Sequence, residues 1–309
     1  MNQQGKQKQS IPISPTSDSD WTIHSLNIQG TFFERWCQET IKTSRWSIIS
    51  TNYPVEFPPH NGPLIGEQST LDIYARLKKE TILLTLLIEC KKNNPEFIDW
   101  VFFPHPNTKR VKYFSGSLIA NEVKESSQNN WETNALLAPM ISLELLPTSD
   151  AWETRGNYVA YKGGNKTKTS NAAIGQAAHQ IALATKAIFL EELNNTKALS
   201  VKTSNAEMPF VHQIFIPVIL TTAKLFVCKF ETKDIDQNTG EIPFSKAKLE
   251  EQPYLLYEYP LPVHFHSTPL DLVSVLKSGN KDFGARMDIL IVNSSKLTEL
   301  LSKLEGGNA

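Results

Sequence analysis

Residues 69–92, STLDIYARLKKETILLTLLIECKK, read as two β-strands joined by a short polar turn. The second strand is an apolar run from Ile82 to Ile88, and it ends in Glu89, Cys90 and Lys91. The first strand carries Asp72. Burying an unpaired charge costs several kcal/mol, so an apolar strand has no structural use for a carboxylate and an amine at its end. Glu89 and Lys91 are two residues apart and point to the same face of a strand. With Lys79-Glu80 at the turn centre, Asp72 stands opposite Leu87 and shares that face, whereas a one-residue slip puts it on the other.

Around this hairpin the patterns alternate between helix and strand. From Ile28, Phe32, Phe33, Trp36, Cys37 and Ile41 recur at helical spacing, with Gly30 near the start. Thr51 to Gly66 is punctuated by four prolines and reads as a loop or irregular edge. Asn94 and Pro95 suggest a short helix that Pro104 stops. The stretch 93–169 is rich in Asn, Ser and Gly, with short strand-like pieces such as Met140–Leu146, and reads as an insertion. Asn171–Leu193 is a helix capped by Ser170 or Asn171. Phe210–Thr221 and Lys224–Phe230 read as a strand pair, the first interrupted or at an edge because of Pro217. Met287–Val292 is a buried strand, followed by a helix over Lys296–Leu304. The order predicts one α/β domain over residues 21–309, with a mixed central sheet flanked by helices.

The chain has 309 residues, 40% hydrophobic and 20% charged, enough for a substantial core. A net charge of -1 gives no global pull toward a polyanion, so such a partner needs a local basic patch. Cys37, Cys90 and Cys228 are far apart and without metal-ligand spacing, which reads as free thiols in a reducing cytoplasm. No apolar stretch is long enough to span a bilayer, and residues 1–20 read as a disordered polar tail without a signal peptide's apolar core.

Two acids and a lysine at one end of a hairpin fit metal-assisted phosphodiester hydrolysis. Hard Mg²⁺ (or Mn²⁺ in its place) takes oxygen ligands, usually one or two carboxylates with water and phosphate. Asp72 and Glu89 are suitable, and the Cys90 backbone carbonyl is a third donor. The Lys91 ammonium can orient the water and oppose developing negative charge.

The set Asp72, Glu89 and Lys91 resembles the PD-(D/E)xK nuclease superfamily, in the branch of type IV restriction-like endonucleases and Holliday-junction resolvases. The resemblance covers the helix at 28–42, the hairpin at 69–92 and the helix at 171–193. It implies a restriction-endonuclease-like core with a long insertion, 93–169, between the catalytic hairpin and the second core helix. It implies a Mg²⁺-dependent endonuclease acting on DNA, in restriction or antiviral defence. A homodimer and partner proteins of a defence system are compatible with it. The resemblance also gives Glu34, shortly after Gly30, as a further metal-site acid and Gln176 as a supporting catalytic residue. Leu71 stands where the family name has Pro, a position that is not a ligand.

Several alternatives stay open on the sequence alone. Glu34 competes with Glu39, and Gln176 with His179 and Gln180. Glu67 is an extra acid near the site or a plain loop carboxylate. Lys162, Lys166 and Lys168 form a basic loop suited to nucleic-acid phosphates, with Lys109, Arg110 and Lys112 a weaker patch. Asp234–Gly240 superficially resembles a calcium loop, but its Gly falls at the wrong position and no closing Glu follows, so it reads as a turn. His264 and His266 have no third ligand in view and no assigned role. The alternative to an enzyme is a non-catalytic nucleic-acid-binding or protein-interaction module on the same fold.

Overall fold

The computed structural model describes residues 17–57, 67–79, 82–93, 97–104, 111–112, 115–125, 128–138, 143–154, 171–202, 211–262 and 286–306. Two helices come first, α1 (Asp18–Gln29) and α2 (Thr31–Lys42). Ser17 caps α1: its hydroxyl accepts from the Asp20 N–H, and the Asp20 carboxylate accepts from the Ser17 N–H. The tail expected up to Asp20 is thus helical from Asp18, while residues 1–16 lie outside the described residues. No residue of α1 is buried, so its sequence carries no apolar stripe to mark it as a helix.

Gly30 joins the two helices with φ 86°, in the left-handed region. An added Cβ would meet only ordinary contact, 3.6 Å from the Lys92 Cβ, so backbone conformation sets the cost of substitution. Gly30→Ala is expected to lower stability by about 1–2 kcal/mol in chemical denaturation.

The strands are β1 (Ser47–Phe57), β2 (Glu67–Lys79), β3 (Ile82–Lys91), β4 (Asp99–Pro104), β5 (Val111–Lys112), β6 (Ser115–Glu125) and β7 (Gln128–Ala138). There follow β8 (Glu144–Leu145), β9 (Pro147–Thr154), β10 (Val211–Thr221), β11 (Lys224–Lys229), β12 (Lys248–Gln252), β13 (Tyr254–Pro260) and β14 (Arg286–Asn293). The main sheet runs β1-β2-β3-β10-β14-β13-β9-β4-β11-β12, with β6 pairing β10 and β7. It is mixed: β3, β10 and β14 run parallel to one another, while β2 is antiparallel to β3 and β13 to β14.

Helices cover both faces of the sheet. On one, α3 (Ala172–Lys202) buries Ile174, Ala177, Ala178, Ile181 and Ile188 against Leu87, Phe215, Ile219, Ile289 and Ile291. On the other, α2 and α4 (Leu297–Leu304) bury Cys37, Ile41, Leu297, Leu300 and Leu301 against Leu86, Ile88, Val218, Leu290 and Val292. Strands covered on both sides need apolar residues at successive positions, which explains the unbroken run in β3. The α/β class and the mixed sheet flanked by helices are therefore as expected.

Several local expectations change. The helix expected after Asn94 is a strand from Asp99, because Trp100, Val101 and Phe102 are all buried and their backbone pairs with both β9 and β11. The stretch read as an insertion places β4 and β9 inside the main sheet, and β8 pairs with β5. Strands β10 and β11 do not pair with each other: β10 lies between β3 and β14, and β11 between β4 and β12. Pro217 is tolerated in the sheet's interior for a local reason. On the side away from β3, β6 pairs with Val211–Ile214 and β14 with Val218–Thr221, so the missing N–H falls in the gap between them. The α3 terminus is served from a distant strand, where Glu153 Oε1 accepts from the Ala173 N–H at 2.8 Å.

At Asp236 the turn expectation holds, since its carboxylate accepts from the N–H groups of Asn238 and Thr239. The three cysteines are free and buried. No helix among the described residues is long and apolar enough to cross a membrane.

The register of β13 and β14 puts Glu258 directly opposite Asp288. Burial, then the Glu258 charge, pushes the Asp288 carboxyl up to about 6. The folded state therefore holds this proton more tightly than the unfolded chain, and stability is lost as pH rises through about 6. Asp288→Asn is expected to raise stability by up to about 1 kcal/mol at about pH 8. The gain should shrink at about pH 5, where wild-type Asp288 is mostly protonated. Denaturation of both proteins at the two pH values checks this.

Candidate active site

Strands β2 and β3 pair from Lys79↔Ile82 to Ile73↔Ile88. Glu80 and Thr81 therefore separate the strands, one residue later than expected, which moves every partner by two. One step beyond the last pair, Asp72 stands opposite Glu89 rather than Leu87. A shift of two preserves parity, so Asp72, Leu87, Glu89 and Lys91 share a face as the chemistry requires.

The side chains at this point form a connected set. Asp72 Oδ2 accepts from the Cys90 N–H at 2.7 Å. Glu89 is only 2% exposed. Its Oε1 lies 2.8 Å from the Lys91 ammonium, which also donates to Gln180 Oε1 at 2.9 Å. Glu89 Oε2 is buried without a hydrogen-bond partner.

The electrostatics follow from this geometry. Burial, then the Asp72 charge, pushes the Glu89 carboxyl up to about 7, against the opposing pull of Lys91. The Asp72 carboxyl is raised by burial, with the Cys90 N–H and Lys91 acting the other way. Glu34, in the first turn of α2, is raised by burial and then by Asp72. The three carboxylates thus feel one another, and Lys91 is the cation that opposes all three.

The remaining candidates separate clearly. Glu39 is on the surface, 2.6 Å from Lys42, so of the two α2 acids only Glu34 faces the hairpin end. Gln176 is exposed on α3, and the glutamine that reaches Lys91 is Gln180, one turn later. This corrects the choice of Gln176, and helix geometry supplies the reason. Gln180 lies three residues after Ala177 and four before Ala184, both fully buried, so it borders the stripe that packs on the sheet. Glu67 is the first residue of β2 and bonds His179, whose other ring nitrogen is 3.4 Å from the Tyr259 hydroxyl.

The Cys90 thiol faces the α2 side beside Cys37, where that contact and burial raise it well above its ordinary value. Its backbone is the part turned toward Asp72. A strand residue's N–H and C=O point to the same side, so the Cys90 carbonyl faces Asp72 as its N–H does. Lys162, Lys166, Lys168, Lys109, Arg110, His264 and His266 lie outside the described residues, and Lys112 is described only as part of β5.

Among the described residues no three His, Cys, Asp or Glu side chains gather as a metal-ligand set. The donors at the hairpin end are two carboxylates and a carbonyl, all hard oxygens, and Glu89 Oε2 is a buried oxygen in need of a partner. That donor set suits Mg²⁺, which keeps several waters and asks for one or two carboxylates. Comparison with protein-family models, with curated proteins and with solved structures gives no match.

Proposed function

We propose that this chain is a Mg²⁺-dependent endonuclease of PD-(D/E)xK type that hydrolyses phosphodiester bonds in DNA. The observation that carries the reading is Glu89: a carboxylate 2% exposed, with Oε2 unpartnered, opposite Asp72 and two residues from a lysine. A fold that needed only stability would not keep such a group, because burying charge costs more than an apolar residue at the same position.

Asp72 and Glu89, with the Cys90 carbonyl, would hold the metal, which supplies an acidified water and neutralises the phosphate. Lys91 directs its ammonium at the attacking water and at charge developing on the phosphate. Gln180 fixes where that ammonium can go. Glu34 adds negative charge on the α2 side, which favours cation capture. Phosphate contacts away from the site would come from the lysines of 162–168. A role in restriction or phage defence, in the cytoplasm, alone or with partner proteins, follows the same reading.

Duplex, single-stranded, branched and modified DNA, with RNA alongside, can be incubated with Mg²⁺ or Mn²⁺ and with chelator. Cleavage of at least one DNA form that chelator abolishes is expected. Cation binding with no cleavage of any form would favour the non-catalytic module instead.

A further inference from the structure

Among the described residues Lys91 is the one cation in hydrogen-bonding contact with Glu89, and it touches two acceptors at once, at 2.8 Å and 2.9 Å. A divalent ion held by Glu89 has to displace the ammonium from Oε1, because two cations cannot share that oxygen without strong repulsion. The Lys91 side chain is 22% exposed, so an ammonium that loses Glu89 either swings out to solvent or needs a second acceptor to stay at the site. The second acceptor, Gln180, comes from a different element and is set by the packing of α3 on the sheet. Its amide carries no charge, so it can hold the ammonium without competing for the metal.

We propose that Lys91 is a placeholder cation for the metal site, and that Gln180 is the positioning residue that keeps it in place when the metal takes Glu89. This deepens the reading of the site as a metal-dependent nuclease centre and rests on it. With Gln180 as its remaining anchor, Lys91 stays within reach of the water and phosphate rather than swinging out to solvent. The Lys91–Gln180 bond is then worth more with metal than without, which couples Gln180 to metal affinity through Lys91 alone.

Calorimetric titration with Mn²⁺ of the full chain tests this as a cycle of wild type, Gln180→Met, Lys91→Met and the double variant. Gln180→Met is expected to weaken Mn²⁺ binding about fivefold when Lys91 is present, from partial loss of a charge-assisted hydrogen bond. It should have no effect in the Lys91→Met background, and Lys91→Met alone should tighten binding by removing the competitor. Gln180→Ala should repeat the result if methionine disturbs the packing of α3. Equal weakening in both backgrounds would mean that Gln180 acts through packing and would overturn the proposal. So would no weakening when Lys91 is present. Wild type that takes up no Mn²⁺ would overturn the metal-site reading itself, and the placeholder role with it.

Discussion

Glu89→Gln is expected to reduce cation-dependent DNA cleavage to background, a loss of about a thousandfold or more. The substitution keeps the size of the side chain and an oxygen for Lys91, so the packing around β3 has no cause to change. Stability should move the other way. Burial and Asp72 raise the Glu89 carboxyl to about 7, so above neutral pH its charge works against the folded state. The glutamine variant should therefore melt no lower than wild type at about pH 8. Cleavage rates and thermal melts on the same preparation check both halves. A variant that loses activity because it unfolds would not bear on the site.

Asp72 should behave differently, because the proposed centre gives it a second role beside its structural one. A metal ligand there needs its charge, so both Asp72→Asn and Asp72→Ala are expected to abolish cleavage. Its Oδ2 also satisfies the Cys90 N–H at 2.7 Å, at the end of the β2–β3 ladder. Alanine leaves that donor without its acceptor, at a cost of about 1–3 kcal/mol, whereas asparagine retains a carbonyl oxygen. Denaturation should thus separate the two inactive variants, with alanine alone destabilised. Equal stabilities would mean that the Cys90 N–H finds another acceptor and that Asp72 serves chemistry only.

The convergence of Asp72, Glu89 and Lys91 at one end of the hairpin was legible because it depends on local rules. Strand parity and a charged end on an apolar run bring these three together, and a turn shift of one residue leaves that parity intact. Helices α2, α3 and α4 were legible for a similar reason, since each buries a stripe against the sheet. Helix α1 was not, because it buries nothing and so has no stripe to show. The strand order was out of reach as well: β10 and β11 follow one another in sequence yet sit far apart in the sheet. That separation depends on pairing with distant strands, which local pattern does not encode. The choice between Gln176 and Gln180 lies between these cases. Both fall in a helix that was read correctly, and the buried alanines on either side of Gln180 could have decided it.

Titration of wild type and Glu89→Gln with Mn²⁺, followed by loss of the free-ion electron paramagnetic resonance signal, tests the central claim most directly. Wild type is expected to remove Mn²⁺ from solution at a site that Glu89→Gln lacks. Equal uptake by both proteins, or none by either, would contradict a metal centre at the end of this hairpin.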